Sequence, residues 1–425
     1  MLQTFKNAWK IPDLRRRMIF TLIILVLFRI GSVIPVPFVY KGLAESGVTE
    51  SGLTGLFQYF DILSGETFSK ATLFALSISP YITASIVIQL LTIAIPPLER
   101  MAKEGEEGRK KLTQITRYTT VGLALLTSIG YCAYISSLGW LIPGRDGLFE
   151  KIVIVACYCA GASIIMWLAE KINEHGIGNG ISIILFVNIA ASFPTMVKTA
   201  VSNGWLITLL FVVLTLAMIL FIVHVTNAER RLPVQYAKRQ VGRKMYGGQS
   251  TFLPIKLNMS GVMPIIFASS IAAIPTTIAA IFPPKSTSGI WYHIVDFFSM
   301  RSWFYMVIYF VLIIAFAYFY LAISFNPVEV SNNLKKNGGF ITGIRPGKPT
   351  TDYISKILGR VTLIGAIFLG IVACLPLLLG IFSGGKLSGL AFGGSSLLIL
   401  VSVVIETQRE IEAQMTMRHY KGFLE

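Results

Sequence analysis

Hydrophobic positions in this chain gather into long runs, not into the alternating or every-third-or-fourth patterns of soluble strands and helices. A hydrocarbon core about 30 Å thick is crossed by about 20 apolar residues in helix. Ten runs of that kind, with few or no charges, lie at 18–39, 71–95, 118–138, 152–169, 181–201, 204–226, 260–282, 303–325, 361–382 and 390–406. Lipid offers no partner to free backbone groups, and the short alternating strands of a barrel are absent, so the runs are expected to be helices. The first run is longer than the apolar part of a cleavable leader and no small-residue cleavage site follows it, so it is read as a retained span.

Composition agrees with this reading. The chain is 54% hydrophobic and 14% charged, which is outside the ordinary range of a soluble globular domain. Ten spans return both termini to one side, and that side collects 28 of the 37 lysines and arginines; eight lie opposite and Arg29 lies inside a run. The asymmetry predicts that the side bearing the termini is cytoplasmic. The four cysteines, Cys132, Cys157, Cys159 and Cys374, form no CxxC pair and have no nearby histidine, so neither a disulfide framework nor a metal site is expected.

Positive loops beside anionic lipid explain much of the net charge of +16. Two loops, 227–258 and 326–358, go further. Each is long for a connector, is basic, and mixes turn formers (Gly247, Gly248, Pro254; Gly338, Gly339, Pro346, Pro349) with β-branched and aromatic residues. They are expected to be ordered, hairpin-like fingers that dock an acidic or phosphate-rich partner, although positive-inside charge alone accounts for Lys335 and Lys336.

On the opposite side, residues 53–64 are apolar but too short to cross. They read either as a re-entrant half-helix or as a helix lying flat at the interface, with Asp61 favouring a water-facing setting. The run that follows carries Ser77, Ser79, Thr83, Ser85, Gln89 and Thr92 among its apolar residues, and polar residues on a stripe of such a helix either glue helices together or line an openable seam. Ile78 and Ile82 lie one turn apart on another stripe. Arg29 is costly in its run unless it reaches water or a partner, and Phe310 reads as lipid-facing.

Seven stretches then occur in order: "FRIGSVIPVP" (28–37), "SPYITASIVIQLL" (79–91), "HGIGNGISIILF" (175–186), "YAKRQVGRK" (236–244), "QSTFLPIKLNMSGVMPIIFASSI" (249–271), "NPVEVSNNLKKNGGFITGIRPGKPT" (326–350) and "FGGSSLLI" (392–399). With them the chain resembles, over essentially its whole length, the SecY family, the channel-forming subunits of the bacterial protein translocase. The resemblance implies an all-α polytopic membrane protein of ten transmembrane helices in two inverted five-helix halves, 1–202 and 203–425, with a re-entrant plug segment. It implies a protein-conducting channel in the bacterial cytoplasmic (inner) membrane that passes unfolded preproteins and releases signal sequences and transmembrane segments into membrane lipids. The apolar ring closing its pore would be Ile78, Ile82, Leu185, Ile189, Ile266 and Ile399, with Leu185 standing where isoleucine is frequent. The plug would include Leu56, Phe57, Phe60, Asp61 and Ile62. A lateral gate would run along Thr83, Ser85 and Gln89 on one side and Ser269, Ser270 and Thr276 on the other. Lys238, Arg239, Arg243, Lys244 and Arg345 would contact the motor ATPase SecA and the ribosome. SecE and SecG would be companion subunits, and no cofactor, catalytic residue, metal or direct DNA contact is implied.

Two other classes stay in view. A secondary transporter of small solutes should place ionisable groups at mid-membrane, and Arg29 alone does so. An intramembrane enzyme needs a nucleophile with a base, paired aspartates or a histidine-bearing metal site; no run contains two carboxylates, and His175, His224, His293 and His419 lie near run ends or in loops. The absence of GxxxxGK[ST] puts the energy source in a partner or in the membrane potential.

Overall fold

The computed structural model describes residues 2–39, 64–65, 67–137, 139–142, 147–202, 204–236, 239–241, 244–246, 250–259, 261–272, 275, 297, 302–382 and 393–421. The helices before the first strand are α1 (Leu2–Lys10), α2 (Pro12–Gly31), α3 (Ser79–Ala94), α4 (Pro96–Lys103), α5 (Glu106–Ser137), α6 (Leu148–His175), α7 (Gly180–Ser202) and α8 (Trp205–Asn227). Strands β1 (Glu229–Tyr236), β2 (Arg239–Val241), β3 (Lys244–Tyr246) and β4 (Ser250–Lys256) follow. The chain continues through α9 (Met263–Ala272), α10 (Trp303–Ser324), α11 (Pro327–Lys336), β5 (Gly339–Ile341), α12 (Lys348–Phe382) and α13 (Gly393–Lys421).

Each of the ten apolar runs carries one of these helices. By length and hydropathy alone, α5, α6, α10 and α12 qualify as spans, and the α3–α4 pair, bent by 101°, makes a fifth; α7, α8 and α9 hold shorter apolar stretches. The chain is a multi-pass membrane protein. The apolar residues Leu209, Val212, Val213, Leu216 and Leu220 of α8 are exposed, as expected of a surface whose solvent is lipid.

Helix ends differ from the apolar runs for identifiable reasons. The run at 71–95 becomes helical only at Ser79: Ala71 and Ser77 are left-handed, at φ 46° and 52°, and Pro80 occupies the first helical turn, where its missing N–H costs nothing. Pro96 and Pro97 end the same helix by holding Ile95 extended. The helix of the first run stops at Gly31, and the segment beyond it pairs Pro35 with Thr72 and Val39 with Leu141. In contrast, α5 and α12 continue past their apolar runs into the basic clusters, since extending a formed helix adds one bond for each residue fixed.

The two long loops meet. β1 pairs antiparallel with β4, from Glu229↔Lys256 to Gln235↔Ser250, and on its other edge with β5, from Val234↔Ile341 to Tyr236↔Gly339. The first loop is therefore a hairpin, as expected. The second is not a separate finger: it is a short helix, α11, and an edge strand added to the first loop's sheet. Asn326 caps α11, its Oδ1 accepting from the N–H groups of Val328 and Glu329. Alternation along β1 turns Leu232 and Val234 inward, where they pack with Ile255, Ile341, Ile354 and Leu358 at the head of α12.

The main core joins residues of α2, α3, α6 to α10, α12 and α13. A second core, rich in aromatic side chains, holds the 64–78 segment to α5 and α6: the Tyr131 hydroxyl donates to the Phe68 carbonyl, and the Phe68 ring lies 4.4 Å from that of Tyr131. α6 reaches this segment closely because residue 161 is glycine; a Cβ there would sit 2.1 Å from the Leu73 carbonyl oxygen.

Candidate functional site

The six side chains read as a ring all belong to the main core, each between 1% and 5% exposed. Four different segments bring them there. Ile78 is the N-cap residue of α3, and Ile82 follows one turn later, its N–H donating to the Ile78 carbonyl at 3.1 Å. Leu185 and Ile189 stand one turn apart on α7, Ile266 is on α9 and Ile399 on α13. Aliphatic branches offer no hydrogen-bonding group, so a neck built from them excludes water and ions by dewetting and holds no polar segment fast.

Three of the polar residues read as a seam bond within their own helices. Thr83 Oγ1 donates to the Ser79 carbonyl at 3.1 Å, and Ser269 and Ser270 both donate to the Ile266 carbonyl at 2.9 Å. Ser85 and Gln89 are half-buried on α3. α3 and α9 pack against each other, and none of these three hydroxyls bridges them. These three hydroxyls therefore do not tie α3 to α9. Thr276 lies outside the described residues.

The plug residues Leu56, Phe57, Phe60, Asp61 and Ile62 also lie outside them. The segment just after is tightly knit: Thr67 Oγ1 donates to the carbonyls of Ser64 and Phe74 at 2.8 and 3.2 Å, and the Phe68 N–H donates to Ser64 Oγ at 3.1 Å. Gly65 takes φ 70°. Phe310, read as lipid-facing, is half-buried: it packs in part against the main core, beside Gly370.

On the basic side, Arg345 is exposed at the turn between β5 and α12 and has no ion-pair partner among the described residues. The turn itself is pinned, because Thr350 Oγ1 donates to the Arg345 carbonyl at 2.8 Å and Ser331 Oγ to the Gly347 carbonyl at 3.0 Å. A guanidinium on a fixed turn is suited to forked contact with carboxylate or phosphate. Arg239 and Lys244 belong to the small β2–β3 hairpin, opposite Tyr246 and Val241. Lys238 and Arg243 lie outside the described residues. Burial lowers the pKa of Lys256 in β4 from the usual lysine value, and the nearby Arg409 lowers it further.

The family model described as SecY matches residues 72–408. The chain belongs to the SecY family. Protein translocase subunit SecY of Streptomyces galbus is 44% identical to it over 439 residues, with 100% of both chains covered. The protein of the same name from Mycobacterium bovis is 42% identical over 444 residues, again with 100% of both covered. Solved structures agree on the fold. One described as a protein conducting channel superposes with TM-score 0.68 over 96% of each chain at 17% identity. Sec61 in the canine ribosome-channel complex does so with TM-score 0.63, also over 96% of each at 17% identity.

The structure also holds features of this SecY-family chain that sequence reasoning missed. Arg117 makes a two-pronged contact with Glu170, Nε to Oε1 at 2.9 Å and Nη2 to Oε2 at 2.8 Å, tying α5 to α6. An arginine at one run's edge and a glutamate at another's were the available signal, but pairing across 53 positions needs the fold. Asn188, fully buried on α7, carries no charge and so does not stand out among the residues of its run. Arg29 is half-buried, and its Nη1 has no partner among the described residues.

Proposed function

We propose that this chain is the channel-forming subunit of a bacterial protein translocase, sited in the cytoplasmic membrane with both termini in the cytoplasm. The observation that carries the reading is that Ile78, Ile82, Leu185, Ile189, Ile266 and Ile399, from four segments, are all buried aliphatic members of the main core. Unfolded preproteins pass through this neck. Residues 1–202 and 203–425 form the two halves that part around it, and residues 53–64 plug it at rest. Apolar segments leave sideways between α3 and α9, drawn by about 0.8 kcal/mol for each CH₂ buried in lipid. The self-bonded hydroxyls of Thr83, Ser269 and Ser270 support this exit, since opening it breaks none of their hydrogen bonds.

The β4–β1–β5 sheet with the Arg345 turn serves as the docking platform for SecA during export and for the ribosome during insertion. SecE and SecG complete the assembly. A small-solute transporter is the rival reading, and the six aliphatic ring positions would offer a solute or ion no coordinating group.

The test places a photoreactive side chain at Ile82 in reconstituted membranes while a preprotein is stalled partway through. Adducts at Ile82 but not at the exposed Val311 of α10 are expected. Adducts at neither position, with stalling verified, sink the channel reading and favour the transporter.

A further inference from the structure

Asn188 stands on α7 beside Ile189 and one turn from Leu185, with no exposed surface. Its Nδ2 donates to Ser77 Oγ at 2.9 Å, a buried contact across 111 positions. Ser77 is itself buried and left-handed at φ 52°, a conformation that residues other than glycine hold only where neighbours enforce it. The residue after Ser77 is Ile78, whose carbonyl receives the first backbone bonds of α3, from Tyr81 and Ile82, both at 3.1 Å. The amide of Asn188 therefore grips the chain where the helix bearing Ile78 and Ile82 begins.

The same residue backs onto Gly65. A Cβ at Gly65 would sit 3.0 Å from the Asn188 carbonyl oxygen, 3.1 Å from its Cα and 3.2 Å from its Oδ1. One residue thus meets both ends of the 65–77 segment. Apolar contact is non-directional and leaves two faces free to slide, whereas a buried hydrogen bond fixes direction and is costly to leave unmade.

We infer that Asn188 is a positioning residue that locks the Ile78–Ile82 arc to the Leu185–Ile189 arc, so that these two parts of the neck move as one body when the channel opens. The inference rests on the neck reading proposed above. Asn188 touches no transported chain in this role; it acts through Ser77 on the placement of Ile78.

The test uses the full chain, purified with its copurifying subunits and reconstituted. Asn188→Ala and Ser77→Ala are each expected to raise the resting ion leak roughly two- to tenfold, the range set by one hydrogen bond. The double variant is expected to leak no more than the worse single one. A further variant has serine in place of Cys132, Cys157, Cys159 and Cys374 and carries Ser77→Cys with Asn188→Cys. When reduced, it should leak like the alanine pair. When oxidised, it should regain the parent's seal and still transport preprotein at the parent's rate. A merely structural role would not be rescued by a covalent link at this one point. Leaks that add, oxidation that fails to restore the seal, or a disulfide that stops transport would each overturn the inference while the channel reading stands. A parent protein that conducts no polypeptide overturns both.

Discussion

Val234 in β1 and Ile341 in β5 are direct antiparallel partners, each 2% exposed, and they join two loops that lie far apart in the sequence. Between them runs the connection from α9 through α10 and α11. The pairing makes one sheet from two loops, and the Arg345 turn that follows β5 leads directly into the head of α12.

Ile341→Ala is expected to cost about 2–4 kcal/mol, through lost burial and the cavity left under a short edge strand. The readout is limited proteolysis: cleavage within 326–358 should speed up while the transmembrane core stays resistant. Unchanged cleavage would mean that β5 is held without Ile341.

Arg345→Glu should abolish SecA-driven export, because it sets a carboxylate where a guanidinium is offered on a pinned turn. Thr350 still donates to the backbone carbonyl of residue 345, so the turn itself should persist. Membrane insertion and thermal stability are expected to stay within about 0.5 kcal/mol of the parent, as for other surface substitutions. Normal export by the variant would remove Arg345 from the motor contact.

Ile78→Gly combined with Ile82→Gly opens the neck on one side and frees the first turn of α3. Planar bilayers containing this variant should pass ions at rest, while the parent should not. A tight recording from the variant would place the seal elsewhere in the core.

Arg117→Gln leaves Glu170 as an uncompensated carboxylate whose side chain is only 9% exposed. Breaking a buried pair from one side costs about 3–5 kcal/mol, here moderated by the half-exposed arginine, so a loss of about 2–3 kcal/mol is expected in thermal unfolding in detergent. Replacing Lys103, whose contact with Glu99 is exposed, should leave the unfolding temperature unchanged. Equal effects at the two sites would show that burial is not what gives the Arg117 pair its weight.

How much is legible in the sequence follows from how local each determinant is. A helix across lipid satisfies its own backbone, so ten apolar runs identify ten helical regions without any knowledge of neighbours. Basic asymmetry and the seven ordered motifs are likewise read along the chain, and the motifs point to the ring residues without any contact between segments being known. Helix ends are less legible: apolarity continues through residues 71–78, but Ser77 and Pro80 delay the helix until Ser79.

Contacts between distant segments are a different matter. Glycines and β-branched residues in 326–350 point to a turn and an extended piece, yet nothing in that stretch names β1 as its partner. Arg117 and Glu170, and Asn188 and Ser77, are ordinary polar residues on their own; burial and a shared point in space make each pair consequential. The sequence alone determined where the apolar helical regions lie and which loops carry charge, because each depends on the nearest neighbours and on the solvent. Only the tertiary structure decided which edges pair and which buried polar groups meet, because hydrogen bonds are directional and act over about 3 Å, a distance that spacing along the chain does not encode.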